Sequence, residues 1–129
     1  MQPVDQTVFG ERGTCLQAAV ASILELTLDD VPDFHIGAAN PIQQDQNYKK
    51  FMLSLGFYVY ERYFLTPGFE AAAIPIFHIA VGKSPRGMSH AVVYFNGALV
   101  HDPHPSRAGI LRVEEINLFV PVDPSQKLR

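Results

Sequence analysis

Cys15 is the single cysteine of this chain, and it opens an apolar run with helical character, Gly13-Thr14-Cys15-Leu16-Gln17-Ala18-Ala19-Val20-Ala21-Ser22-Ile23-Leu24. Thr14 followed by Gln17 has capping-box spacing, which predicts Thr14 as N-cap and Cys15 as the first helical residue. Unpaired amides and the positive end of the helix dipole then face the sulfur, a setting that draws a thiol pKa down from about 8.5 and yields the reactive thiolate. The plainer role for such a residue is a small, inert member of the core. Downstream, Ser89-His90-Ala91-Val92-Val93-Tyr94-Phe95 and Ala98-Leu99-Val100-His101-Asp102-Pro103 read as two strands joined at Asn96-Gly97. A thiol at a helix start, then a histidine and a carboxylate on paired strands, suits nucleophilic attack on a carbonyl. The histidine would hold the thiol proton and pass it to a leaving amine, while the aspartate would orient the imidazole and favour its charged form.

With these residues the chain resembles the papain-like cysteine peptidases, most nearly their small bacterial and phage relatives, among them the double-glycine peptidases that process bacteriocin leaders. Those proteins show a glutamine ahead of the cysteine helix, a His-x-Val-Val strand and a strand ending in Asp-Pro. The matching residues here are Gln6, Cys15, His90-Ala91-Val92-Val93 and Asp102-Pro103. The resemblance implies a catalytic triad of Cys15, His90 and Asp102. It also implies an oxyanion hole formed by the Gln6 side-chain amide and the backbone N–H of Cys15. Gln17 is the rival glutamine, but two steps along a helix turn it through about 200° from the sulfur.

The hairpin register carries a condition. With a two-residue turn at Asn96-Gly97 and no irregularity, His90 would pair with Pro103, and Asp102 would share a face with Ala91. A three-residue loop with Gly97 in the left-handed conformation, or a bulge elsewhere in the pair, brings His90 and Asp102 to one face.

Four further residues are candidates for lining a substrate cleft. His35 lies in the loop after the first helix, Arg86 in the segment leading to His90, and His104 just past Asp102. Arg107 follows, either to meet a substrate carboxylate or to pair with Glu114 or Glu115. His101 and His104 could join His90 at a metal, but the Asp-Pro bend and the single cysteine argue against this, and no metal or other cofactor is expected. His78 alternates within an apolar strand and reads as a core histidine.

Positioning these groups requires a central helix over residues 14 to 26. Its buried stripe is Leu16, Ala19, Val20, Ile23 and Leu24, with small residues Ala18, Ala19 and Ser22 allowing a sheet close approach. A second helix is expected from the Asn40 cap and Pro41 to Leu55, stopped by Gly56. Strands are expected over 57 to 63, 74 to 81, the hairpin at 89 to 102, and 116 to 122, with a frayed tail from 123 to 129. Helices followed by mainly antiparallel sheet make an α+β arrangement, as in a papain-like minimal domain, here a single domain over residues 1–129.

Composition bounds the rest. The chain is 47% hydrophobic, enough for one core, and its formal charge of −3 without Lys or Arg clusters argues against nucleic-acid binding. A lone cysteine precludes an internal disulfide. Met1-Gln2-Pro3-Val4-Asp5 has no signal-peptide character, so a cytoplasmic setting is expected. No apolar run reaches the ~20 residues needed to cross a bilayer. The expected partner is a peptide or protein substrate, and the short chain leaves room for a second copy or a partner protein to complete the cleft. The expected chemistry is cleavage of a peptide, isopeptide or side-chain amide bond. Glutamine deamidation or acyl transfer would use the same residues, and a non-catalytic binding module is the remaining alternative.

Overall fold

The computed structural model describes residues 1–10, 13–64, 73–123 and 125. Two α-helices precede a five-stranded antiparallel sheet, an α+β fold. Helix α1 spans Cys15–Leu24 and α2 spans Pro41–Ser54, with a 3-10 turn at Leu28–Asp30 between them. The strands are β1 (Phe57–Tyr63), β2 (His78–Lys83), β3 (Ser89–Phe95), β4 (Ala98–His101) and β5 (Glu115–Pro121), in the spatial order β1-β5-β2-β3-β4.

Local chemistry sets most boundaries. Helix α1 ends two residues before the expected Leu26 because Glu25 adopts a left-handed conformation, φ 58°, and its N–H closes on the Ala21 carbonyl. Helix α2 starts as its residues predict: Asn40 Oδ1 accepts the Gln43 amide at 2.9 Å, and Pro41 occupies the first turn. Gly56, at φ 91°, follows its end and leads into β1. Strand β2 begins at His78 rather than Ile74, since Pro75 cannot donate to a ladder. The last strand starts at Glu115, one residue earlier than expected. Most of the tail expected to fray lies outside the described residues.

The helices cover one face of the sheet. Ala19, Val20 and Ile23 of α1 and Tyr48 and Met52 of α2 pack with Ile79, Ala91, Val93 and Phe119. Alternate strand residues Ala80, Val92 and Ile116 join Phe64 and Val113 in a smaller cluster on the other side. The exposed polar side of α2 and the largely apolar character of α1 follow from these places, α1 being buried from Gln17 to Leu24. Among the described residues no helix is long and apolar enough to cross a membrane.

Gly82 pairs with His90 across β2 and β3. A Cβ added there would lie 2.0 Å from the Arg112 carbonyl oxygen, because residues 111–114 cross directly over the strand. Gly82→Ala is therefore expected to cost about 3 kcal/mol, with backbone displacement behind His90, read as a lower midpoint in urea unfolding.

Candidate active site

The β3–β4 hairpin decides whether a histidine and an aspartate can meet. Asn96 and Gly97 both have positive φ, 55° and 80°, the signature of a two-residue primed turn that matches strand twist. The three-residue loop anticipated at Gly97 is therefore replaced by a tighter turn, with Phe95 opposite Ala98 and Tyr94 opposite Leu99. The register then shifts, because Val93 faces His101 and Val100 is the extra residue. This bulge moves Asp102 from the face of Ala91 to that of His90. His90 Nε2 lies 2.6 Å from Asp102 Oδ1, with both side chains buried.

Asp102 is held from several directions. Its Oδ1 also accepts the His104 amide at 2.9 Å, and Oδ2 accepts the Gly109 amide at 2.8 Å. Burial works against its ionisation, but the hydrogen bonds from His90, His104 and Gly109 prevail and hold the carboxyl below its ordinary range. His90 is subject to the same contest. Burial disfavours its charge, while hydrogen bonds and charge interactions with Cys15 and Asp102 raise its pKa above the usual histidine value. With Nε2 committed to Asp102, Nδ1 is the ring nitrogen available to Cys15. The thiol, half-buried, stands at the first position of α1, where the backbone amide has no intrahelical acceptor.

Thr14 differs from expectation. It precedes α1 but its side chain makes no helix cap. Instead Thr14 Oγ1 accepts the amides of Thr7 and Val8 at 3.1 and 3.3 Å, tying the segment that carries Gln6 to the start of the cysteine helix. Gln17 likewise is no capping-box partner: its Nε2 donates to the carbonyls of Leu28 and Val31 at 3.0 and 2.6 Å. Gln6 is 7% exposed, and its Nε2 donates one N–H to the Val8 carbonyl at 2.9 Å. The second N–H makes no hydrogen bond within the described residues. Gly13 permits this packing, since a Cβ there would come 3.5 Å from Gln6 Nε2 and 2.9 Å from the Gly10 carbonyl oxygen.

Contacts that the chain order did not suggest anchor the Gln6 segment. The Gln6 amide donates to the Pro103 carbonyl at 3.1 Å, the Val4 amide donates to Ser22 Oγ at 2.9 Å, and His101 Nε2 donates to the Val4 carbonyl at 2.8 Å. Arg107 belongs to the same framework. Its guanidinium donates to both Asp5 carboxylate oxygens, at 2.6 and 2.7 Å, and to the Asp102 carbonyl, rather than to Glu114 or Glu115. No local sequence signal could reveal these ties, because their partners are far apart in the chain.

Two hollows meet at Cys15 and His90. A recess of ≈ 140 Å³ contains Gln6, Phe9, Ser84, Arg86, Met88 and His104. Arg86 and His104 thus line this recess beside Cys15; Arg86 donates to Ser106 at 2.9 Å, and His104 Nδ1 shares that hydroxyl. On the other side a cavity of ≈ 410 Å³ is bordered by α1, α2 and the 33–35 loop, His35 among its walls. His78 is a core residue, bonded through Nδ1 to the Ile76 carbonyl at 2.9 Å, with burial lowering its pKa. Among the described residues no group of three or more His, Cys, Asp or Glu side chains is placed to hold a metal ion.

Cys15, His90 and Gln6 thus border one recess, with the Asp102 carboxylate buried against His90. No protein-family model, curated protein or solved structure matches this chain.

Proposed function

We propose that this protein is a small papain-like cysteine hydrolase that cleaves an amide bond in a peptide, isopeptide or side chain. The observation that carries the reading is the buried 2.6 Å pair between His90 Nε2 and Asp102 Oδ1, which leaves the other ring nitrogen for Cys15. In acylation the Cys15 thiolate attacks the carbonyl carbon, forming a C–S bond and moving the π pair to oxygen. That oxyanion accepts hydrogen bonds from Gln6 Nε2 and the Cys15 amide. The imidazolium of His90 gives its proton to the leaving nitrogen as the C–N bond breaks, which frees the amine and leaves a thioester. Water then attacks the thioester while His90 takes its proton. Loss of the sulfur releases the acid and restores the thiolate–imidazolium pair.

The test is the rate of alkylation of Cys15 by iodoacetamide from about pH 4 to about pH 10, compared with an unperturbed thiol titrating near 8.5. The wild type is expected to react on a plateau extending well below that value, since the interactions with Cys15 and Asp102 raise the His90 pKa and favour its charged form. In His90→Ala the plateau should vanish and an ordinary thiol titration should take its place. An ordinary titration in both proteins would remove the activated nucleophile and favour a binding module.

A further inference from the structure

The larger cavity has a character that the triad does not use. Its polar walls include the carboxylates of Asp33, Asp45 and Glu115, and neither lysine nor arginine is among its lining residues. The positive groups at hand are the His90 ring, which lines the cavity, and Lys49, an exposed ammonium shared between Asp45 at 2.8 Å and Glu61. One positive charge thus serves Asp45 and Glu61, while Glu115 is left without an ionic partner among the described residues. Glu115 is instead aimed by a relay. Tyr48 donates to Asn117 Oδ1 at 3.0 Å, and Asn117 Nδ2 donates to Glu115 Oε2 at 2.7 Å. Burial, with the Glu61 charge and a hydrogen bond shared with the Glu61 carboxyl in support, pushes the Glu115 carboxyl above the ordinary glutamate range despite the Asn117 hydrogen bond; a bound cation would favour its ionised form.

Two further groups in the same walls carry buried polar atoms without partners. Gln17 is 9% exposed; its Nε2 is spent on Leu28 and Val31, and its buried Oε1 has no partner. His35 Nε2 donates to the Gly13 carbonyl at 3.3 Å, and its buried Nδ1 has no partner. Orphaned buried polar atoms are costly, and a turn of either side chain toward the cavity would let the N–H groups of a ligand satisfy them.

Resting on the reading of Cys15 as the nucleophile, we infer that this cavity receives a positively charged side chain of the substrate, an ammonium or guanidinium, adjoining the bond that is cut. A guanidinium fits the acceptor-rich walls best because it carries five N–H donors and accepts nothing. The cavity borders Cys15 and His90 directly, and its ≈ 410 Å³ accommodates a long basic side chain. The acids are spread along the walls rather than gathered to coordinate an ion, which suits an extended organic cation.

The experiment uses the single cysteine as reporter. Aminoethyl, sulfonatoethyl and methyl methanethiosulfonate each transfer a thioalkyl group to Cys15 with loss of methanesulfinate, and they differ in charge: positive, negative and neutral. In the wild type the cationic reagent is expected to react about tenfold or more faster than the anionic one at low salt. That ratio should fall by about threefold or more in Glu115→Gln. Asp45→Asn, altered at a more open position, should lower it too and guards against misfolding of the first variant. A ratio near one in the wild type, or one unchanged in both folded variants, overturns the inference. The neutral reagent separates the two readings. If its rate follows an ordinary thiol titration and ignores His90→Ala, Cys15 is no activated nucleophile and the substrate assignment falls, even where the charge ratio persists.

Discussion

Asp102→Ala is expected to slow acylation of Cys15 by p-nitrophenyl acetate about 10⁴-fold at pH 7, an effect of the size seen when a triad loses its orienting carboxylate. The carboxylate makes three bonds at once, to His90 Nε2 and to the amides of His104 and Gly109. Without it the imidazole loses the charge that favours its protonated form, the tautomer is no longer specified, and the thiolate loses its counter-ion. The same change leaves buried donors unpaired, so unfolding in urea should show a loss of about 3 kcal/mol. Sign and pH window follow from the directions of the two shifts. Asp102 is lowered from 3.8, so its contribution is present above that pH and is lost as the pH falls through its folded value. His90 is raised from 6.5, so its contribution is complete below that pH and is lost as the pH rises through its folded value. The stability gap between wild type and Asp102→Ala should therefore be widest between 3.8 and 6.5 and narrow on either side. A gap that does not vary with pH would show that the bonds to His104 and Gly109 alone account for the loss.

Gln6→Ala is expected to lower the same acylation rate by about 10²-fold, the usual consequence of deleting one oxyanion donor. Alkylation by iodoacetamide develops no oxyanion and provides the reference against which this loss is measured. The residue is suited to such a role because its amide cannot turn freely. The Val8 carbonyl takes one N–H at 2.9 Å, Gly13 closes the space behind it, and Thr14 Oγ1 pins the Thr7 and Val8 amides. Equal losses in acylation and alkylation would mean that Gln6 supports only the position of Cys15, and would leave the developing charge to the backbone amide.

Local signals served well where an element depends on neighbours in the chain. The Asn40-Pro41 start of α2, the strand Phe57–Tyr63 and the apolar stripe of α1 all rest on caps and periodicity within a few residues. The same signals misled at Thr14 and Gln17, whose spacing matches a capping box but whose side chains bond the 7–8 segment and the carbonyls of Leu28 and Val31. There a tertiary partner outcompeted the local one. Arg107 is similar, since its partner Asp5 lies 102 residues away.

Residue order alone carried the identities and the sequence of Cys15, His90 and Asp102, the helix that would begin at the thiol, and the need for an irregular hairpin between the other two. Its location was open, because a turn at Asn96-Gly97 is compatible with several registers of nearly equal local energy. Only the packed sheet chose the bulge at Val100, by requiring Ala91 and Val93 to face α1 while Asp102 is captured by the amides of His104 and Gly109. The acidic cavity was likewise invisible in the chain, since Asp33, Asp45 and Glu115 come from a loop, a helix and a strand that meet only when the helices close over the sheet.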